Sequence, residues 1–439
     1  MNTAYQHTGT ENFVRAFAEF SKENGRILPE LNTIAIGRLE DIGFPTTRHE
    51  EWKYTNVSPI LNTAFSHPGP QFRLKKEDIQ SWMLAGKDAI LLVFENGYLN
   101  TDLSSLDGLP EKVIIASLSA QRSNAIVKQH LAKYAPMKQE SFVVLNTAFV
   151  SDGAFIYLPA NIQIEKPVHV LYVNDSEFHP TVIYPRNLIV ADKNASVKVA
   201  VSYHSIGSTN AGFTNAVTEV VAGQNAQVEL IKIQNENESA FHISHTEAIL
   251  SKDSVFNIST ITLGGKIVRN NLHIVLSETN SVAHLYGLYI TDGNQLVDNH
   301  TLVDHMSPNC ESNELYKGVL GGKSSGVFNG KVFVRQDAQK TNAYQSNKNI
   351  LLSDEATMNT KPQLEIFADD VKCSHGATTG QMDAEALFYL RSRGIGEQEA
   401  KAFLNIAFAA DVIKNISIEA LRDRLMPLIE NKLKQSIQS

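Results

Sequence analysis

Asp192-Lys-Asn-Ala-Ser-Val197, Gly223-Gln-Asn-Ala-Gln-Val228, Ser251-Lys-Asp-Ser-Val255 and Glu278-Thr-Asn-Ser-Val282 each set a small polar turn before a new run of alternating residues. The closing valines lie 31, 27 and 27 residues apart. The register continues through Ser307-Pro-Asn-Cys310, 28 residues on, and Ala338-Gln-Lys340, 30 after that. A fixed period of about 20 to 50 residues is the mark of stacked supersecondary units.

The segments between these turns are strands. Val197, Val199, Val201 and Tyr203 share one face, with Lys198, Ala200, Ser202 and His204 on the other. Val282, His284, Tyr286, Leu288 and Ile290 alternate in the same way. A β-sandwich would show shorter strands, turns every 8 to 12 residues or so, and no fixed long period. The long period favours a parallel β-helix, each strand lying over its equivalent in the coil below.

This texture fills residues 141–380 and predicts a mainly β chain with a parallel β-helix core. Residues 1–140 read as a mixed helical and strand domain. Phe13, Phe17 and Phe20 recur at helical spacing before the stop signal Asn24-Gly25, and Gln121 to Tyr134 suits a further helix. Ala89 to Phe94 is a buried strand ended by Asn96-Gly97. Residues 381–439 are helical again. Asp383 caps a helix carrying Leu387, Phe388 and Leu390, and Gly394 stops it. Phe403, Ile406, Ala407 and Ala410 mark a second helix; Leu421, Leu425, Leu428 and Ile429 mark a third, with Ser417 near its start. Pro427 should kink or break the third near Met426. These helices either cap the last coil or offer an apolar face to a partner.

Composition narrows the function. The 439 residues are 43% hydrophobic and 20% charged, an ordinary globular mix, and the net charge of −8 is not that of a nucleic-acid or anionic-membrane binder. No basic, apolar leader opens the chain, and its most apolar short stretch falls far below the roughly 18 residues of a membrane span. Two cysteines, Cys310 and Cys373, build no disulfide framework. A cytoplasmic setting is expected.

Lys317-Gly-Val-Leu-Gly-Gly-Lys-Ser324 lacks the first glycine of a phosphate loop, and a strand pattern through Val327, Phe328, Val332 and Phe333 follows it where a helix is required. His242 and His245 fall on opposite faces of a strand, as do His300 and His305, so both pairs read as satisfied structural histidines. Asp369-Asp370 suits a solvated turn. Cys373 and His375 share a face, so a soft sulfur and an imidazole could meet one iron, iron–sulfur or zinc centre. Two ligands do not close such a site, and a structural cysteine explains the same residues.

The run Lys361-Pro-Gln-Leu-Glu-Ile-Phe-Ala-Asp-Asp-Val-Lys-Cys-Ser-His-Gly-Ala-Thr378, with Leu387-Phe-Tyr-Leu-Arg-Ser-Arg-Gly-Ile395, resembles the SufB/SufD family of iron–sulfur cluster assembly proteins. Gly326-Val-Phe-Asn-Gly330, Lys340-Thr341 and Arg48-x-Glu-Glu-Trp-Lys-Tyr54 extend the match. Asp369 to Gly376 and Glu51-Trp-Lys-Tyr54 are closer to the SufD branch, and Gly376 stands where SufB typically carries a glutamate implicated in cluster ligation. The resemblance implies a right-handed parallel β-helix flanked by helical regions, and a non-catalytic scaffold role in the SUF system. It implies pairing with a SufB-like protein through the last coils. It also implies docking of a SufC-like ATPase on the C-terminal helices, with Leu387, Phe388, Phe403 and Ile406 as contacts. A transient cluster shared with SufB would form at the junction, near a histidine that corresponds to His375, with Cys373 beside it. Some complexes of the family hold a reduced flavin, which no fingerprint places here. Exposed strand edges would let the isolated chain form a homodimer. The competing reading is a carbohydrate-active β-helix lyase or hydrolase, which the absence of an acidic cluster disfavours. A blander one is a purely structural homo-oligomer.

Overall fold

The computed structural model describes residues 9–22, 26–84 and 89–438; the Asn24-Gly25 signal lies outside them. Its centre is a parallel β-solenoid in which successive strands alternate between two ten-stranded sheets. Ser196–Ile206 pairs in parallel with Gln227–Asn235, and that strand with Val255–Thr262. Gly212–Ala222 pairs likewise with Phe241–Leu250 in the facing sheet. Each strand is thus the crossover for two others, and a flat hydrophobic interior closes between the sheets.

The Asn-centred turns form the corners. Asn194, Asn225, Asp253, Asn280, Asn309 and Lys340 all adopt positive φ, between 55° and 61°. Asn and Asp reach this left-handed region most readily among residues with a Cβ. The corners also bond along the stack: Asn225 Nδ2 donates to Asn194 Oδ1 at 2.9 Å, and Asn280 Nδ2 to Asp253 Oδ1 at 3.0 Å. One step of the repeat is corrected. Val228 lies over Phe256, because the turn at Asp253 is followed by one residue fewer before the expected valine, and Val255 faces outward. The inner column therefore runs Val197, Val228, Phe256, Ala283, Ser312, Ala343, Cys373. Val197, Val199, Val201 and Tyr203 do face the core. Val282, His284, Tyr286, Leu288 and Ile290 share a face too, but it is the outer one, where Leu288 and Ile290 meet the C-terminal helices.

Flanking helices cover both outer faces. Helices Thr10–Phe20 and Pro29–Ile42 pack with a third, Ser141–Phe149, against Phe213, Phe241 and Ile243. Helical spacing does not end at residue 141, as the sequence suggested. All residues of Ser141–Phe149 are buried, so the segment carries no polar stripe to betray its period. The helix expected over Gln121 to Tyr134 is only Ala125–His130. The amides of Ala132, Tyr134 and Ala135 turn away to donate to buried Glu219, which itself pairs with Arg186 at 2.7 Å.

At the other terminus, Asp383 accepts from the amides of Glu385 and Ala386 and caps Ala384–Ser392, and Gly394 follows at φ 87°. Helix Glu397–Ile413 buries Ala400, Ala402, Asn405, Ala409 and Val412. The Phe403 and Ala407 side of that helix, read as its packing stripe, is exposed. Helix Glu419–Gln438 runs unbroken through Pro427. Pro427 and Asp423 are both exposed, so the carbonyl freed four residues back can be solvated.

Candidate functional site

The solenoid stops at strands Thr357–Ile366 and Lys372–Gly380, which end the two sheets. Every residue of Lys372–Gly380 is exposed except half-buried Cys373. Its position comes from the corner at Lys340, whose amide donates to Asp370 O, and from pairing with Asn342–Leu351. Asp369 and Asp370 lie in the exposed connection, as expected.

Cys373 and His375 occupy inner positions of this last strand. Cys373 continues the Ser312 and Ala343 column and packs near Val332, Val334 and Ala368. Burial pushes its thiol pKa up, only partly offset by the backbone hydrogen bond from Ala343, so neutral thiol predominates at neutral pH. His375 continues the column of Glu314 and Gln345 and is exposed at the mouth. Gly376 points to the opposite face and has open space around it. Among the described residues, no three His, Cys, Asp or Glu side chains stand where they could hold a metal ion. The pair offers two donors facing one way.

Other sequence features fall elsewhere. His242 is an inner residue bonded to Glu236 at 2.8 Å; His245 faces out and bonds Glu247 at 3.0 Å. His305 is buried and meets Ser312 at 2.9 Å. Gly321 to Ser324 form a corner, and strand Ser325–Val334 follows. The glycines of Gly326-Val-Phe-Asn-Gly330 have a packing reason: a side chain at Gly330 would collide with the Gln345 amide, and one at Gly326 with Met358.

The Arg48 to Tyr54 motif clamps the N-terminal region to the solenoid near its open end. Trp52 lies under the Arg269 guanidinium at 3.8 Å, and Arg269 Nη1 donates to Glu51 O at 2.6 Å. Glu50 pairs with Lys361 at 2.8 Å, and Glu51 with His300 at 3.2 Å. Asp298 accepts from Thr55 and pairs with Arg269 at 2.7 Å. Burial opposes the charge on Asp298, but Arg269 and His300 outweigh it and hold its pKa at about 2. These partners lie more than two hundred residues from the motif in sequence, so no local pattern links them to it.

The C-terminal candidates separate. Phe403 and Ile406 line a groove of about 510 Å³ with Ala402 and Ile437 between the last two helices. Phe388 is 75% exposed beside exposed Tyr389, and Leu387 is half-buried next to them. No helix among the described residues is long and apolar enough to cross a membrane.

Comparisons with known proteins bear on this arrangement. The SUF system FeS cluster assembly SufBD core domain matches residues 172–408, and the SufBD protein N-terminal region matches 6–170. An iron–sulfur cluster assembly SufBD family protein of Synechocystis is 35% identical over 89% of this chain and 88% of its own length. The iron–sulfur cluster assembly protein SufD of Escherichia coli is 31% identical over 91% of each chain. The SufD of Bacillus subtilis is 26% identical over 97% of this chain and 98% of its own. A β-solenoid matched along nearly its whole length, with flanking regions included, places the chain in the SufBD family of iron–sulfur cluster assembly proteins.

Proposed function

We propose that this chain is a non-catalytic scaffold subunit of a SUF complex, in which a SufB-like protein abuts the open end and a nascent iron–sulfur cluster forms at that junction. The observation that carries the reading is the uncovered last coil, where Cys373 and His375 face the same way with no third ligand beside them among the described residues. A two-donor half-site needs the remainder from a facing chain. The cluster is cargo here. His375 would be a ligand or gate, and Cys373 a second ligand that must first lose its proton.

The ATPase would be a separate SufC-like subunit docked on the C-terminal helices, through Leu387, Phe388, Phe403 and Ile406. Exposed aromatics on that surface suit such an interface. Without partners, the uncovered edge strands would pair with a second copy, giving a homodimer. A reduced flavin has no assigned place in this chain. The test is co-expression with the SufB-like and SufC-like proteins of the same source, followed by light scattering of the purified material. One assembly containing all three chains is expected. Elution of this chain alone at every concentration would remove the reading.

A further inference from the structure

Beneath His375 the interior is polar, and the lining has a definite order. Two facing inner columns approach the open end together. One carries Leu285, Glu314, Gln345 and His375; the other carries Leu272, Thr301, Gly330 and Pro362. Leu272 and Leu285 belong to the apolar core and form a floor. Above them Glu314 and Thr301 occupy one layer. Gln345 lies over the side-chain-free Gly330 in the next, and His375 marks the mouth. The result is a stack of polar side chains two strand spacings deep, or roughly 10 Å.

Its polar atoms are not saturated. Gln345 Nε2 donates to Glu314 Oε2 at 2.7 Å. Thr301 faces the carboxyl without closing a hydrogen bond of good geometry. Glu314 Oε1, Gln345 Oε1, Thr301 Oγ1 and Thr360 Oγ1 are buried with no partner among the described residues. Groups of this kind are satisfied in native proteins by ordered water, for which such a site is polar enough.

No described cation pairs with Glu314. Its inner neighbours are Ser312 and Tyr316 on its own strand, with Thr301 across and Gln345 above. The titratable neighbour is Tyr316, itself buried with its pKa raised. The interior ammonium, Lys232, stands three coils back in the Tyr316 column and is held by Ser244 and Asn270. A carboxyl enclosed without a counter-ion has its charged form destabilised. Burial pushes Glu314 up to about 7, against small opposing contributions from Thr301 and Gln345.

We propose that Glu314 is a proton acceptor for the open end, a positioning residue that takes protons from groups deprotonated at the mouth by way of Gln345 and of water held by the unpartnered polar atoms beside it. The inference rests on the reading that a cluster forms at that junction, which brings iron and hydrosulfide there. The step balances without redox chemistry: as hydrosulfide binds ferrous iron at the junction its S–H bond breaks, the electron pair stays on sulfur as the Fe–S bond forms, and the proton forms an O–H bond on the Glu314 carboxylate. Hydrosulfide becomes iron-bound sulfide, and the acid later returns its proton to solvent.

The first test uses the isolated full chain and needs no cluster. Infrared difference spectra across a pH titration should show a protonated-carboxyl C=O band that bleaches with a midpoint near pH 7. The band should be missing in Glu314→Gln. A pH jump on Gln345→Leu should keep the band but slow its bleaching at least about tenfold, as an apolar plug would. A wild-type chain with no such band, a band that survives Glu314→Gln, or unslowed bleaching in Gln345→Leu would each overturn the proposal. In the assembled complex, Glu314→Gln should flatten the pH profile of cluster formation, where a purely structural residue would lower the rate equally at every pH. If cluster formation ignores His375 while the infrared results hold, the junction reading fails and the buried acid stands.

Discussion

At the start of the solenoid, Phe94, Tyr172 and Tyr203 stack inside successive coils at 4.8 and 5.3 Å, and helices cover both outer faces. At its far end the same inner positions hold Cys373, His375, Ala377 and Thr379, and among the described residues no strand covers them. Parallel, in-register pairing is common to both. What differs is the filling: aromatic and aliphatic side chains where the fold must hold, and donors, small residues and a buried acid where the last coil is left open. A repeat whose coils touch only their neighbours permits this division, because a polar last coil costs little to the coils behind it.

The contrast can be broken by truncation. Phe256→Ala, at a fully buried inner position, should cost about 3–5 kcal/mol. Thr379→Ala in the last coil should cost less than about 0.5 kcal/mol. Denaturant unfolding of both variants gives the comparison, and equal losses would remove it. Ion pairs should divide the same way. Arg186 and Glu219 are both fully buried, so Glu219→Ala should cost about 3–5 kcal/mol, and more locally it should release the turn at Ala132. The Arg335–Asp304 pair sits near the open end with Arg335 half exposed, and Arg335→Ala should cost about 1 kcal/mol or less.

Acid sharpens the comparison at the seam between the N-terminal region and the solenoid. Asp298 titrates near 2 when folded against 3.8 as an ordinary aspartate. A lowered folded pKa stabilises the native state above the unfolded value, and that stability fades as pH falls from about 4 through about 2. The amount is on the order of 2 kcal/mol, and Asp298→Asn should abolish this part of the acid dependence of the unfolding midpoint. The smallest effect concerns the cysteines. Cys373, half-buried with a raised pKa, should be alkylated slowly in the native chain, and buried Cys310 scarcely at all. Timed mass spectrometry would show the order, and faster labelling of Cys310 would contradict it.

Much of this was legible in the chain, for identifiable reasons. The Asn-centred corners announce themselves because few other residues tolerate a left-handed turn, and their spacing is the coil length. The shared face of Cys373 and His375 needs only the two-residue period of a strand. The Val255 slip shows where such reading fails: a valine one residue nearer its corner falls on the opposite face, and only the neighbouring coil reveals it. Ser141–Phe149 stayed hidden because burial on all sides erases helical periodicity. Phe403 misled because an exposed aromatic at helical spacing looks like a core stripe until the rest of the helix is packed. Glu314 could not be singled out at all, since its meaning depends on Gln345, Gly330 and Thr301 arriving from three other strands.

The most direct measurement is the iron and acid-labile sulfide content of the anaerobically purified complex carrying His375→Ala, set beside wild type. We expect an assembly of unchanged mass with strongly reduced cluster content. An assembly of the same mass with undiminished cluster would show that the open end of this solenoid is not where the cluster forms.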